Sequence, residues 1–328
     1  MRHAVCCTLT AIALSLAGPV LAQTAGSYPS KPLRLVVGFP AGGPADIFGR
    51  AIAQKLSEVI GQQVVVDNRA GAGGIVATEN VAKSPAYGYT FYLASSAVLS
   101  FYANLYDKLP YDLNRDFVPV TLAVAVPEML VVHPSLPVKT AKEFVALAKS
   151  KPGQLVYGST GNGASTHLSA AQFASAAKVD IVHVPYRGQG PAMTALLAGD
   201  VDLFFNQSAP AIASIKGGLN IGLAVTTPER LEALPGVPAM AQACALPGFE
   251  SSTWYGLLAP AKLPSAIATK MSATVAKVIS TPEFKKWLTE TQGITPAQDP
   301  SPQAFAKIHR ADLAKWAEIV RISGAQVD

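Results

Sequence analysis

The apolar and polar positions of the chain predict a repeated unit made of a strand, a glycine-rich turn and a helix. The run LRLVV is followed directly by the turn FPAGGPAD, and behind it apolar residues recur at the spacing of one helical face as far as Ile60. Gly61 then stands where a left-handed C-terminal cap belongs. We therefore predict a strand, a tight turn around Gly42 and Gly43, and a helix that begins immediately behind these glycines.

This first turn has the chemistry of an anion site as well as that of a plain connection. Two glycines let the backbone approach a ligand closely, and the first-turn amides of the helix carry the positive end of its dipole without an intrahelical acceptor. Asp46 is compatible with both an anion site and a plain connection, since it could contact a ligand or serve only as the helix N-cap. The stretch by itself leaves both interpretations open.

Similar units recur along the chain. The strand-like runs QVVVD, FYLA, LVY and VDIVHV precede the turns NRAGAGG, SSA, GSTGNGAST and PYRGQGPAM. Alternating strands and helices predict an α/β protein with largely parallel sheets. In such sheets ligands bind beyond the carboxyl ends of the strands, which is where these turns lie.

We expect the chain to cross twice between two lobes. A proline-punctuated passage leads to Ala123, where we place the first crossing, and a strand at 129–133 follows it. A strand at 254–259 returns to the first lobe, and the tail from Ser265 to Gly324 is mostly helical, with breaks near Pro282 and across ITPAQDPSP. The predicted domains are lobe 1 at 23–122 and 252–328, and lobe 2 at 123–251.

Local signals also predict details of lobe 2. Thr140 followed three residues later by Glu143 is typical of a capping box, so we predict a helix that starts there and ends before Pro152. The segment VDLFFNQSAP predicts a strand followed by a loop. A cleft between two lobes, with a glycine-rich turn on each side, is the architecture of a solute-binding protein.

The first 22 residues are typical of a secretory signal peptide. Arg2 precedes an apolar region too short to span a bilayer, and Gly18 and Pro19 precede VLA, so we predict cleavage after Ala22. The mature product of 328 − 22 = 306 residues would lie in the periplasm without a membrane anchor. Of three cysteines only Cys244 would remain, so we expect no internal disulfide.

Charge and motif spacing exclude several functional classes. The formal charge of +5 is scattered and forms no basic stripe, which argues against nucleic acid. Neither glycine turn ends in the Gly-Lys-Ser/Thr of a P-loop, and Thr166 and Val76 stand where the third glycine of a dinucleotide fingerprint belongs. No metal-ligand spacing is present either. We therefore expect no cofactor and no metal.

A secreted esterase-like hydrolase that uses Ser165 remains the alternative. His167 occupies the position where a nucleophile elbow needs glycine. It is also only two residues from Ser165, so the two side chains would point in nearly opposite directions on a helix. Another histidine, His133 or His183, could serve as the base.

Five motifs together resemble one known family. They are YPSKPLRLVVGFPAGGPAD, NRAGAGG, GSTGNGASTHL, VPYRGQGPAMTALLAGDVD and ALPGVPAMAQACALPGFESSTWYGLLAP, and they extend over the whole mature chain. In this order, behind a signal peptide, they resemble the Bug family, the extracytoplasmic solute receptors of tripartite tricarboxylate transporters. The resemblance implies a two-lobed periplasmic binding protein fold of the second type, each lobe a mostly parallel sheet flanked by helices, with the ligand cleft between the lobes.

The resemblance also implies a function and a set of site residues. Such a receptor captures a small organic acid and delivers it to integral membrane permease subunits; we expect it to be a monomer and not an enzyme. The ligand carboxylate would be held between the two glycine turns, largely by backbone amides and bridging waters. The matching positions are Ala41, Gly42, Ala45 and Asp46 in the first turn; Gly73, Ser95 and Ser96 elsewhere in lobe 1; Thr160, Gly161, Gly163, Ala164, Ser165, Thr166 and His167 in the second-lobe turn; and Tyr186, Arg187, Gly188 and Asn206 beyond it.

Three departures from the family pattern concern the ligand. Ile75 stands where asparagine is common, SSAVLSFYA replaces a more polar stretch, and Asn206 occupies a position that is often aspartate. These changes make the pocket less acidic and more apolar. We therefore expect an aromatic or branched monocarboxylate to be as admissible as a dicarboxylate or an acidic amino acid.

Overall fold

The structure, a computed structural model, describes residues 28–325. The predicted signal peptide, residues 1–22, lies outside the described residues. Lobe 1 begins with three strand-first units, which comprise β1 (Leu33–Val37), α1 (Pro44–Ile60), β2 (Val64–Asn68), α2 (Ile75–Ala82), β3 (Thr90–Ser95), a π-helical turn at Ala97–Phe101, α3 (Tyr102–Leu105) and α4 (Leu113–Asp116).

The first unit forms as predicted. α1 begins at Pro44, directly behind the glycines, and Gly61 caps its C-terminus with a left-handed φ of 69°. β1 is covered on both faces because its residues alternate between two apolar clusters. Leu35 packs in the cluster that contains Phe48 of α1, while Val36 packs in the cluster on the α2 side.

The long strand β4 (Phe117–Val132) connects the lobes. Lobe 2 continues from it with α5 (Ala141–Ser150), β5 (Val156–Ser159), α6 (Ser165–Ala177), β6 (Val182–Pro185), α7 (Gln189–Ala198), β7 (Leu203–Gln207), α8 (Ser208–Lys216), β8 (Ile221–Val225) and α9 (Met240–Ala243). The chain returns through β9 (Ser252–Pro260), α10 (Ser265–Ser280), α11 (Pro282–Lys286), a π-helical turn at Trp287–Gln292, β10 (Thr295–Pro296) and α12 (Pro302–Ser323).

The strands that precede the glycine turns pair in parallel, as predicted, whereas the shared strands are antiparallel to their neighbours. β1 pairs in parallel with β2 and β3, and β5 pairs in parallel with β6 and β7. β9 lies between β3 and β4 in the strand order β2-β1-β3-β9-β4-β7-β5-β6, and it is antiparallel to both. β4 pairs with β9 as far as Pro127 and with β7 from Glu128 onward.

Two local predictions need correction. The second part of the proline-punctuated passage, from Phe117 onward, already belongs to β4, because the ladder of this strand with β9 has irregular steps at Pro119/Thr121 and Leu122/Val124 that accommodate the proline. The residues after β7 form α8 and not a loop. The predicted lobe boundary at 122/123 stays a prediction. β4 exchanges its pairing partner β9 for β7 a few residues later, between Pro127 and Glu128.

Other predictions of local structure are confirmed. Thr140 and Glu143 form both hydrogen bonds of the capping box at the start of α5. The tail is helical, with breaks at Thr281 and between β10 and α12. Among the described helices, none is both long enough and apolar enough to cross a membrane.

Candidate functional site

Helix α3 brings glycine turns of the two lobes together. The hydroxyl of Tyr102 donates a hydrogen bond to the carbonyl of Gly73 at 3.2 Å. One turn later on the same face, Cδ1 of Leu105 lies 2.6 Å from the position that a β-carbon on Gly163 would take. The lobe 2 turn therefore packs against lobe 1 at this glycine, and the positive φ of 68° at position 163 favours glycine as well.

The first turn of lobe 1 joins the same region through its backbone. A β-carbon on Gly38, at the end of β1, would lie 3.0 Å from the Cα of Gly74, and one on Gly74 would lie 3.1 Å from a methyl group of Val98. The ends of β1, β2 and β3 are thus in mutual contact. The parallel pairing of these strands produces this arrangement, because it places their carboxyl ends at one edge of the sheet.

Asp46 holds the first turn in shape. The N-cap of α1 is Gly43, so the interpretation of Asp46 as N-cap is wrong. Its carboxylate accepts hydrogen bonds from the Gly42 amide at 2.9 Å, from Arg50 at 3.0 Å and from Asn68 at 2.9 Å. Burial alone would raise the pKa of Asp46, but these hydrogen bonds outweigh it and hold the pKa below its usual value.

The lobe 2 turn is braced in a similar way by its own side chains. The Thr160 amide donates to the hydroxyl of Thr166 at 2.9 Å, and the Gly163 amide donates to Nδ1 of His167 at 3.2 Å. The Gly161 amide donates to the hydroxyl of Ser159 at 3.1 Å. These three amides are therefore occupied, and Thr166 and His167 act as supports of the turn.

Two stacked imidazoles lie beneath this turn. The ring centroids of His167 and His183 are 3.8 Å apart and the rings are nearly parallel, and Tyr157 also stacks with His183, with its ring centroid at 4.8 Å. Burial lowers the pKa of His167 to about 3, with a smaller contribution from His183, and burial lowers the pKa of His183 to about 4. Both rings are therefore neutral near pH 7, and His167 must carry its proton on Nε2 because Nδ1 accepts from Gly163.

The candidate histidine bases have hydrogen-bond partners other than Ser165. Nε2 of His183 bonds the hydroxyl of Ser159 at 2.6 Å, and Nδ1 of His133 bonds the hydroxyl of Ser135 at 2.7 Å. Among residues 28–325, no histidine forms a hydrogen bond with Ser165. The structure therefore does not form the serine–histidine pair that the hydrolase alternative requires at Ser165.

Several amides of both turns do remain available. In the described part of the chain, no hydrogen bond is made by the amides of Ala41, Ala45 and Asp46 in lobe 1 or by those of Ser165 and Thr166 in lobe 2. Four of these five belong to the first turns of α1 and α6, where the helix dipole adds positive potential. Each lobe thus offers a set of backbone donors to an anion.

Three buried hydroxyls after β3 add side-chain donors. Ser95, Ser96 and Ser100 are at most 5% exposed, and none of their hydroxyl oxygens has a partner among the residues that the structure describes. Sequence reasoning predicted Ser95 and Ser96 but missed Ser100. Ser100 lies within the π-helical turn Ala97–Phe101, whose spacing gives no sequence signal.

The remaining predicted residues lie around the turn of lobe 2. The Gly188 amide donates to the Thr160 carbonyl at 3.2 Å, and the carbonyl of Tyr186 lies 3.6 Å from where a β-carbon on Gly161 would be. Arg187 is exposed. Asn206 is buried and accepts a hydrogen bond from Gln189 at 2.5 Å. Asn206 therefore positions the start of α7.

Sequence reasoning also missed Glu128. This residue lies on β4 where the strand changes partners, and its carboxyl group is fully buried beside α6. Its position depends on both lobes, so no local pattern marks it. Within residues 28–325, no cluster of His, Cys, Asp and Glu has the arrangement of a metal site.

The fold and the two sets of amides define a two-lobed solute-binding protein. A family model described as the tripartite tricarboxylate transporter family receptor, TctC, matches residues 48–324. The chain belongs to this receptor family, which confirms the resemblance to the Bug receptors and the predicted fold.

Individual relatives match this chain over nearly its whole length. BugT of Bordetella pertussis is 33% identical over 95% of this chain and 94% of its own length. The solved structure of Rpa4515 from R. palustris with adipate is 34% identical, has a TM-score of 0.84, and matches 92% of this chain and all of that one. The structure of MatC from Rhodopseudomonas palustris with bound malate is 29% identical, has a TM-score of 0.79, and matches 89% of this chain and all of that one.

Proposed function

We propose that this protein is a periplasmic receptor that binds a small organic acid between its lobes and delivers it to the permease of a tripartite transporter. The observation that carries the proposal is that each lobe has backbone amides without a hydrogen-bond partner among the described residues, at Ala41, Ala45 and Asp46 in lobe 1 and at Ser165 and Thr166 in lobe 2. Hydrogen bonds to a charged group contribute roughly 1.5 to 3 kcal/mol each, so a few of them account for specific binding of one carboxylate.

The hydroxyls of Ser95, Ser96 and Ser100 provide for a second polar group or for ordered water around the ligand. Apolar side chains surround them, since Val98, Leu99 and Tyr102 belong to the buried cluster of lobe 1. Rpa4515 and MatC carry adipate and malate in their structures, which supports dicarboxylates as candidates here. The apolar surroundings support an aromatic or branched monocarboxylate equally.

A thermal-shift panel tests the ligand class. The acids would be adipate, malate, succinate, glutamate, benzoate and isovalerate, added to protein refolded from denaturant so that no ligand is carried through purification. A ligand at a hundred times its dissociation constant stabilises the folded state by about 2.7 kcal/mol. We expect one or a few acids to raise the melting temperature and the matching primary amides to have no effect.

The hydrolase alternative makes the opposite prediction. If no acid shifts the melting temperature, and the protein cleaves a generic ester in a way that Ser165→Ala abolishes, the receptor proposal is wrong. Delivery to a permease requires export, and we expect the receptor to be a monomer. Osmotic-shock release followed by size-exclusion chromatography with light scattering checks both properties.

A further inference from the structure

A single carboxyl group is enclosed where the two lobes join. Glu128 lies at the step of β4 where strand pairing passes from β9 to β7, and its relative exposure is 0%. Within residues 28–325, neither of its carboxyl oxygens completes a hydrogen bond of good geometry. Burial of a carboxylate without partners is costly, so these surroundings favour the protonated acid.

The nearest polar side chains belong to α6, the helix behind the lobe 2 turn. Burial raises the pKa of Glu128 to about 7, and the nearby hydroxyls of Ser169 and Ser165 lower it only in part. Ser165 is the first residue of α6 and Ser169 lies one turn later on the same face. The Ser169 hydroxyl also bonds the hydroxyl of Ser251, beside β9, at 2.6 Å. The Glu128 carboxyl thus lies beside both the predicted ligand turn and the return crossing.

The other groups that face Glu128 carry no charge near neutral pH. Tyr255 faces it from β9, and burial, followed by the Glu128 charge, raises the pKa of this tyrosine above its usual value. From β7, Gln207 lies opposite Glu128 in the strand ladder. His167, further along the first turn of α6, is neutral because its pKa is about 3. Glu128 is therefore the group whose charge changes here between pH 6 and pH 8.

We propose that Glu128 couples ligand binding to the uptake of one proton, by setting the direction in which the Ser165 hydroxyl donates its hydrogen bond. This inference rests on the carboxylate-binding function proposed above. In the bound state the neutral Glu128 acid donates its O–H to the Ser165 oxygen, a hydrogen bond that is not complete in this structure. The Ser165 hydrogen is then free to donate to the ligand carboxylate. The proton comes from solvent and returns to it when the ligand leaves.

The ionised form of Glu128 opposes binding in two ways. Ser165 then donates its hydrogen to the Glu128 carboxylate and has none for the ligand. In addition, two negative charges face each other across one hydroxyl in a low-dielectric site, where their repulsion is weakly screened. The bound state therefore requires the acid form, and affinity falls as pH rises through the pKa of Glu128.

The size of the effect follows from that pKa. With a value of about 7 in the free protein, binding to the acid form alone makes the affinity about tenfold weaker at pH 8 than at pH 6. At pH 8 the binding of each ligand takes up close to one proton. The carboxyl group of benzoate stays ionised throughout this range, so this ligand contributes no pH dependence of its own.

Isothermal titration calorimetry tests the coupling. Adipate and benzoate would be titrated into the wild type, Glu128→Gln and the control Glu250→Gln at pH 6 and pH 8. At pH 8 each titration is repeated in HEPES and in Tris, whose different ionisation enthalpies report the protons taken up. We expect the tenfold loss and about one proton for the wild type and for Glu250→Gln, since Glu250 is exposed. We expect neither effect for Glu128→Gln, which mimics the acid.

Ser165→Ala provides a second variant that leaves the buried acid in place. Because the wild-type hydroxyl serves the ligand only when Glu128 is protonated, this change should weaken binding more at pH 6 than at pH 8. Equal weakening at both pH values, or wild-type affinity that is the same at pH 6 and pH 8, overturns the coupling while the receptor function stands. Absence of binding by either acid, and by every acid of the panel, to the wild type at pH 6 overturns the receptor function itself.

Discussion

Replacement of Glu128 by glutamine should change how the stability of the ligand-free protein depends on pH. Burial raises the pKa of Glu128 from its ordinary 4.5 to about 7, so the folded state prefers the acid form. The stabilising effect of that proton is fully present below pH 4.5, is lost progressively as pH rises, and is gone above the folded-state value. Wild-type stability therefore falls between these two pH values on account of this one residue.

The magnitude follows from the shift in pKa. One pKa unit corresponds to 1.36 kcal/mol, so the complete change is roughly 3 kcal/mol, and the part between pH 5 and pH 8 is about 2.5 kcal/mol. Glutamine has nearly the same shape as the protonated acid and does not titrate. The variant should therefore be close to the wild type in stability at pH 5 and more stable by about 2.5 kcal/mol at pH 8.

Urea unfolding followed by circular dichroism at several pH values measures this difference. His167 and His183 have lowered pKa values, so they destabilise the fold as pH falls, but both are present in the two proteins and cancel in the subtraction. Glu250→Gln serves as the exposed control and should follow the wild-type curve. A constant difference between the wild type and Glu128→Gln across the pH range would show that Glu128 is already ionised in the fold, and the reasoning would be refuted.

Three further predictions concern the site and export. Gly163→Val should abolish carboxylate binding while circular dichroism stays unchanged, because its side chain meets Leu105 at a φ of +68°; Gly190→Val, which has open space, should bind normally by calorimetry. Arg187→Ala should weaken binding less than about fivefold, since an exposed charge contributes roughly 0 to 1 kcal/mol; complete loss of binding would indicate a side-chain clamp. Mass spectrometry of the secreted product should give an N-terminus at or near Gln23, and retention of Met1 would contradict cleavage.

Local features of the fold could be predicted from the sequence because they depend on neighbouring residues. The glycine turn before α1, the left-handed cap at Gly61 and the capping box at Thr140 each involve contacts within about four residues. The strand-first order also predicted the parallel pairs. The insertion of β9 between β3 and β4 has no such signal, since it depends on a segment that follows the whole of lobe 2.

The candidate site, too, could be predicted only in its local features. The glycine turns were visible, but the role of Asp46 depends on Asn68, which reaches it only after β2 pairs with β1. Leu105 meets Gly163 across the two lobes, and Glu128 becomes buried only when both lobes are assembled. Sequence periodicity describes one element at a time, so contacts of this kind lie beyond it.

The position of β9 has a consequence for the order of events during synthesis. β9 provides the pairing partner of both β3 and β4 in lobe 1, yet it is made after all of lobe 2. The sheet of lobe 1 therefore has an open edge at β3 until Ser252–Pro260 has left the ribosome, whereas lobe 2 can pair its strands earlier. Unpaired strand edges are prone to association with other chains. A nascent chain of this topology thus keeps an unpaired strand edge until its last quarter emerges, and truncation before β9 leaves lobe 1 without a complete sheet.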